Sequence, residues 1–160
     1  MLLVGVVAKD YKAKRNRSVN ALLNAQFFIG LHCQWQFIEY FLPDTSEAAR
    51  INQVNGLVKD LPALAAKKSA RCISFLLNVK TPAEARAIRD AGGVIWFTSV
   101  SDTVPFHPEK GDLMVGGIDR LPGRDASRWV NPAEALDATY SHVKQSLKKR
   151  RTLGEKQGAA

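Results

Sequence analysis

The alternation of apolar and polar positions along the chain predicts strands and helices in turn. The apolar run Leu2 to Ala8 is typical of a strand that is buried on both faces of a sheet, and Cys72 to Leu77 and Val94 to Val100 have the same character. Helix signals lie between the second run and the third. The sequence therefore predicts a three-layer α/β fold in which helices flank a mostly parallel sheet.

The segment between the second and third apolar runs carries the clearest helix signals. Thr81 stands at the N-cap position, Pro82 follows at the first helical position, and Glu84 completes a capping box. Gly92-Gly93 is the expected stop. We expect the two flanking strands to be parallel and joined by a right-handed crossover, because that is the economical way to connect them.

Two earlier segments are predicted to be helical, and a third is ambiguous. Ser18 and Ser46 are candidate N-caps. Pro62 is expected to end or kink the helix after Ser46, which leaves Ala63 to Lys68 as a further short turn. The region Ile29 to Leu42 suits a helix in part, although its second half alternates like a strand. The apolar face of the helix after Ser46 consists of Ile51, Val54, Leu57 and Val58.

The final third of the chain combines a long loop with a last helix. Ser101 to Arg128 is rich in Pro, Gly and Asp, and Leu113 to Val115 is its one stretch with strand character. Asn131-Pro132-Ala133-Glu134 repeats the capping pattern, and residues 1–151 are predicted to form a single α/β domain. Residues 152–160 are predicted to be a disordered basic tail. The apolar stripe of the last helix consists of Leu136, Tyr140, Val143 and Leu147.

Composition and charge narrow the class of protein. The chain has 160 residues, of which 46% are hydrophobic, and a net charge of +8 that is concentrated in Lys9 to Arg17 and in Lys144 to Arg151. Such clusters favour a phosphate-bearing ligand, nucleic acid or an acidic protein surface. No apolar run approaches the roughly 20 residues of a membrane span, so no membrane association is expected. Cys33 and Cys72 are isolated, as in a reduced cytoplasmic protein, and no metal-ligand spacing is present.

A lysine-rich loop follows the first apolar run, where α/β proteins often bind phosphates. Lysines and backbone N–H groups at such a position can surround a phosphate group. The residues of this loop that are candidates for binding a phosphate-bearing cofactor are Lys9, Lys12, Lys14, Arg15 and Asn16. The alternative is a basic, solvated loop without a ligand.

The segments Met1 to Leu23 and Ile73 to Trp96 resemble the phage-type deoxynucleoside monophosphate kinases. In that family an Asp-Val-Arg segment leads into a helix like the one that begins after Asn78-Val79-Lys80. Its phosphate-binding loop has the pattern Gly-Lys-x-x-Ser-Gly-Lys-Asp-Thr, which places Lys14 at the phosphate lysine and Asn16 at the magnesium-binding hydroxyl. The resemblance implies a P-loop kinase-like fold, ATP and magnesium as cofactors, and Lys14, Asn78 and Lys80 at catalytic positions.

The residues that differ from the family pattern are those that would perform the chemistry. Ala8 and Ala13 replace glycines of the loop, Asn78 replaces an aspartate, and Lys80 replaces an arginine. Positioning and charge stabilisation make up most of phosphoryl-transfer catalysis, so these changes predict a protein of phage type that binds a nucleotide, nucleic acid or protein partner without efficient transfer. The alternatives are an active deoxynucleoside monophosphate kinase, a nucleic-acid-binding protein and a host-interaction protein.

Overall fold

Six strands form one sheet in which all neighbouring strands are parallel, within the residues that the computed structural model describes: 2–7, 35–67, 71–98, 105–115 and 129–157. The strands are β1 (Leu2–Val7), β2 (Trp35–Phe41), β3 (Arg71–Leu77), β4 (Val94–Phe97), β5 (Leu113–Val115) and β6 (Trp129–Val130). The helices are α1 (Glu47–Lys67), α2 (Pro82–Asp90) and α3 (Pro132–Gln157). The predicted three-layer α/β fold is confirmed.

The order of the strands across the sheet is β2-β3-β1-β4-β5-β6. The chain goes from β1 outward to β2, returns through β3, passes over β1 to β4, and then continues outward in the other direction. The succession of strands therefore reverses beside β1. In open parallel sheets, ligands bind outside the carboxyl ends of the strands at such a reversal.

Helices pack on both faces of the sheet. On one face, α1 and α2 cover a core that includes Leu3, Leu76 and Ile95. On the other face, α3 covers a core that includes Phe75 and Trp96, whose rings meet edge to face with centroids 5.5 Å apart. Burial of these two apolar layers is the main stabilising contribution to the fold.

The backbone of β1 approaches α2 closely at Gly5. A Cβ atom at this position would lie 2.7 Å from Ile95 Cδ1 and 2.8 Å from Ile88 Cδ1. A side chain at this position would force both isoleucine side chains to shift, so glycine favours the close packing of β1 against β4 and α2.

The start and the stop of α2 are confirmed. The Thr81 side chain accepts a hydrogen bond from the Glu84 N–H at 3.3 Å, and Pro82 is the first helical residue. At the other end, the N–H groups of Gly92 and Gly93 donate to the carbonyls of Arg89 and Ile88. With Gly92 at φ 85°, these two bonds form a Schellman motif.

Two predictions for the first half of the chain are settled by tertiary structure. The ambiguous region is a strand from Trp35 to Phe41, because pairing with β3 from Arg71 to Leu77 fixes it in the sheet. Of the two outcomes expected at Pro62, an end or a kink, the end is wrong, since α1 continues to Lys67. The segment after the proline is rich in alanine and leucine, whose helix propensity favours continuation. Ser46 is the N-cap, as predicted, and its Oγ accepts from the Ala49 N–H.

Among the residues of the predicted α3 stripe whose side chains the structure describes, Tyr140 does not face the sheet. Tyr140 is 39% exposed, whereas Thr139 is fully buried. The Thr139 hydroxyl accepts from Trp96 Nε1 at 3.0 Å and donates to the Ala135 carbonyl, so it satisfies an indole N–H that the core would otherwise leave without an acceptor. Helix α3 also continues through residues 152–157, where the sequence predicts a disordered tail. Leu153, Glu155, Lys156 and Gln157 in this stretch favour a helix.

The loop before β5 is attached to the end of α2 by an ionic cluster. Arg89 donates to both carboxylate oxygens of Asp112 and to Glu109 Oε1. Burial by itself lowers the pKa of Arg89, but the hydrogen bonds and charges of the two carboxylates outweigh it and raise that pKa. This cluster lies at the amino edge of the sheet, the edge opposite the strand ends considered below. None of the helices in the described ranges is long and apolar enough to cross a membrane.

Candidate functional site at the carboxyl edge of the sheet

Asn78 directly follows β3 and lies at the carboxyl edge of the sheet. Its backbone has φ 68°, in the left-handed region that asparagine adopts more readily than most residues. Its side chain is buried, with 3% of the residue exposed. The N–H of the next residue, Val79, still donates to the Val6 carbonyl, so the turn begins without interrupting the pairing of β1 and β3.

The amide group of Asn78 is used inside the protein. Its Nδ2 donates to the Leu42 carbonyl at 2.7 Å and lies 3.5 Å from Asp44 Oδ1. An aspartate at position 78 would place a carboxylate oxygen against the Leu42 carbonyl and close to the Asp44 carboxylate. The surroundings of residue 78 are therefore suited to an amide and unfavourable to a carboxylate.

Lys80 lies two residues further on and reaches the surface. Its Nζ contacts Asp44 Oδ1 at 2.5 Å, and its side chain is 48% exposed. An ammonium group has three donors, so a lysine paired with one carboxylate can also bind a phosphate oxygen. Lys80 is a positive group that a ligand at the end of β3 could reach.

A buried ion pair between Arg50 and Glu84 joins the β2–α1 loop, which contains Asp44, to the β3–α2 loop, which contains Asn78 and Lys80. Arg50, in the first turn of α1, makes a bidentate contact with Glu84, in the first turn of α2. The Arg50 Nε–Glu84 Oε1 distance is 2.6 Å and the Nη2–Oε2 distance is 3.0 Å. The side chains are 4% and 0% exposed, respectively. This geometry is the fork arrangement that stabilises a buried guanidinium–carboxylate pair.

The remaining N–H groups of Arg50 bind backbone carbonyls. Nη1 donates to Leu42 at 3.2 Å and to Pro43 at 2.6 Å, and Nη2 donates to Asn78 at 2.6 Å. A guanidinium has five N–H donors, and each of the five has an acceptor here. Arg50 therefore acts as a structural connection between the β2–α1 loop and the β3–α2 loop, with no donor left over for a ligand.

Glu84 departs from the capping box that the sequence predicts. In a capping box the glutamate accepts from the N–H of the N-cap residue, here Thr81. Glu84 Oε2 accepts instead from the N–H of Lys80, one residue earlier, at 2.9 Å, together with Arg50 Nη2. The carboxylate therefore fixes the backbone of Lys80 as well as the guanidinium.

Asp44, Arg50, Asn78, Lys80 and Glu84 together form what we call the carboxyl-edge cluster. The cluster contains two cations and two carboxylates, each in an ion pair, and one buried amide. Sequence reasoning identified Asn78 and Lys80 but missed Arg50 and Asp44, and it gave Glu84 only a capping role. A signal was present for Arg50, because it lies one helical turn before Val54 on the apolar side of α1, where a charge needs a buried partner.

The predicted phosphate-binding loop lies outside the described residues. The residues concerned are Lys9, Lys12, Lys14, Arg15 and Asn16. Of the predicted catalytic set, Asn78 and Lys80 lie together at the end of β3, and the position of Lys14 relative to them is not described. The described part of the chain contains no group of three or more His, Cys, Asp or Glu side chains that could hold a metal ion.

No protein-family model, curated protein or solved structure matches this chain.

Proposed function

We propose that this protein is a divergent relative of the nucleoside monophosphate kinases that binds a nucleotide at the carboxyl edge of its sheet without efficient phosphoryl transfer. The observation that carries the proposal is the presence of Asn78 and Lys80 at the end of β3. Lys80 is a cation within reach of a ligand. Asn78 has an amide that donates to the Leu42 carbonyl, at the position where the kinase pattern has a carboxylate.

The architecture supports a ligand at this edge. Strand succession reverses beside β1, and β3 is a direct neighbour of β1 in the sheet. Crevices at such reversals bind nucleotides in many parallel α/β proteins. Lys80 follows β3 at the carboxyl edge of the sheet, and the Arg50–Glu84 pair fixes the loop that contains Lys80.

The charges of the cluster support binding without efficient transfer. Phosphoryl transfer to a hydroxyl needs a group that positions magnesium or the nucleophile, and a carboxylate commonly does this. At position 78 the amide donates to the Leu42 carbonyl, while Asp44 is paired with Lys80 and Glu84 with Arg50. The two carboxylates of the cluster are thus occupied by cations of the protein.

Thermal unfolding of the full chain with ATP and with each deoxynucleoside monophosphate tests the proposal. We expect at least one nucleotide to raise the unfolding temperature, since a ligand at about 100 times its Kd stabilises the folded state by about 2.7 kcal/mol. Lys80→Ala is expected to weaken that nucleotide about tenfold, because a charge-assisted hydrogen bond contributes about 1.5 kcal/mol or more. Lys59→Ala, which removes an exposed lysine of α1, is the matched control and should bind as wild type.

Three results would contradict the proposal. If no nucleotide raises the unfolding temperature, the protein does not bind a nucleotide. If Lys80→Ala and Lys59→Ala lower the nucleotide affinity equally, the nucleotide does not bind at this edge. Rapid ATP-dependent phosphorylation of a deoxynucleotide in a coupled assay would instead show an active kinase.

A further inference from the structure

Helix α3 is much longer than the strands on which it packs. Its 26 residues span about 39 Å, whereas the six residues of β1 span about 20 Å. The described contacts between α3 and the sheet come from its first half. They involve Ala135, Leu136, Thr139 and Val143.

A second row of residues runs along a different side of the same helix. Tyr140, Lys144, Lys148 and Arg151 follow one another at intervals of four, four and three residues, so their backbone positions lie on one side of α3. At about 100° per residue, this row is centred about 120° round the axis from the buried residues. Tyr140 and Lys144, the two members with described side chains, are both exposed. We call these four residues the α3 basic row.

The segment that contains the α3 basic row has a high positive charge density. From Tyr140 to Gly154 the sequence holds five lysines and arginines and no aspartate or glutamate, in a chain whose net charge is +8. Asp137 and Glu155 lie on the same side of the helix and mark the two ends of the row. The charge is thus collected in one continuous stretch of helix.

We propose that the α3 basic row binds the phosphate backbone of nucleic acid. A row of basic residues along one side of a helix fits a polyanion with regularly spaced charges, and such binding needs no apolar centre. An acidic protein partner would require apolar and aromatic anchors at the centre of its interface, and Tyr140 is the sole large apolar side chain in the row. The exposed Tyr140 ring instead offers a surface on which an unpaired base stacks. This surface is separate from the nucleotide site proposed above.

Fluorescence anisotropy of the full chain with a labelled single-stranded oligonucleotide tests this proposal. We expect an affinity that falls steeply with increasing KCl, because phosphate contacts release counterions. Lys148→Glu/Arg151→Glu should weaken binding about tenfold or more at moderate salt, and Tyr140→Ala about fivefold through lost stacking. The matched control is Lys59→Glu/Arg86→Glu, which makes the same change in net charge on exposed positions of α1 and α2 and should alter affinity less than about threefold. Far-UV circular dichroism establishes that every variant is folded.

Three outcomes would overturn the proposal. The first is no binding at low salt, and the second is an equal loss in the two double variants, which would reduce the effect to net charge. The third is displacement of the oligonucleotide by polyglutamate as effectively as by unlabelled oligonucleotide, which would favour an acidic protein as the partner. A Tyr140→Ala variant that binds as wild type would contradict the assignment of Tyr140 to the surface.

Discussion

Two helices of this protein begin with the same Pro-Ala-Glu-Ala sequence, and the glutamate has a different role in each. At the start of α3, Asn131 Oδ1 accepts from the Glu134 N–H and Glu134 Oε2 accepts from the Asn131 N–H, both at 2.9 Å. This is a reciprocal capping box on the surface. At the start of α2, Glu84 is fully buried and binds Arg50 and the N–H of Lys80.

The difference lies in what surrounds each helix start. Glu134 is exposed, so the N-cap is its partner in the protein and water satisfies the rest of the carboxylate. Glu84 lies under the β2–α1 loop, where α1 brings a guanidinium within hydrogen-bond distance. A local motif therefore predicts the start of a helix correctly in both places, while tertiary contacts decide whether the glutamate is a cap or part of an ion pair.

The largest expected effect comes from removing the charge of Glu84, and the same change at Glu134 is the comparison. Glu84→Gln leaves Arg50 as an uncompensated buried cation and sets an amide donor against N–H donors, so we expect a loss of about 3 kcal/mol or more in the free energy of unfolding. Glu134→Gln should cost less than about 0.5 kcal/mol, because glutamine also accepts from the N-cap. Urea denaturation of both variants measures the difference. Equal losses would mean that the two glutamates have the same role.

A double substitution separates the ion pair from the backbone contacts of Arg50. Arg50→Met/Glu84→Leu removes both charges, and we expect the double variant to be more stable than the sum of the single variants predicts. It should still lie about 2 kcal/mol or more below wild type, because the carbonyls of Leu42, Pro43 and Asn78 lose their shared donor and the Lys80 N–H loses its acceptor on Glu84. The four urea unfolding curves of the cycle give this number. Full recovery of wild-type stability would show that these four backbone contacts contribute no net stabilisation.

A smaller effect than at Glu84 is expected at Glu39, on β2, a carboxylate whose environment contrasts with that of Glu84. Burial raises the pKa of Glu39 above its usual value of 4.5, so the folded state favours the protonated form. The resulting destabilisation is absent at low pH and appears as pH rises through that raised pKa. We expect Glu39→Gln to be more stable than wild type at pH 7, by less than about 1 kcal/mol, and the gain to shrink as pH falls toward 4.5. Unfolding midpoints of both proteins between pH 4 and pH 7 measure it, and a gain that grows toward low pH would reverse the assigned sign.

Local signals were sufficient for much of the fold. The apolar runs at β1, β3 and β4 and the cap residues of α2 predicted a parallel α/β unit, because short-range rules fix helix starts, helix stops and buried strands. The assignments that failed or stayed open depended on distant partners. The region of β2 became a strand through its pairing with β3, and Thr139, which accepts from Trp96 Nε1, is buried on α3 whereas Tyr140 is exposed.

The candidate site was predicted only in part for the same reason. Asn78 and Lys80 stood out because they follow a buried strand, a position that the sequence alone identifies. The Arg50–Glu84 contact joins residues that are 34 positions apart, and no short-range pattern states that they meet. Buried polar contacts between distant elements depend on the assembled fold. A single sequence shows only that a charged residue lies on the apolar side of a helix, and it does not show which residue is its partner.

The position of β1 in the sheet also has a consequence for the order of events during synthesis. Val4 pairs with Phe75 on one side and with Val94 on the other, so both partners of the first strand come from much later parts of the chain. A ribosome-bound chain that ends before residue 71 contains no described strand that pairs with β1, although all six residues of β1 are buried in the finished fold. Long-range pairing of this kind slows folding and prolongs the exposure of apolar segments. β1 thus has no neighbour in the sheet until residues 71–77, which form β3, have been made.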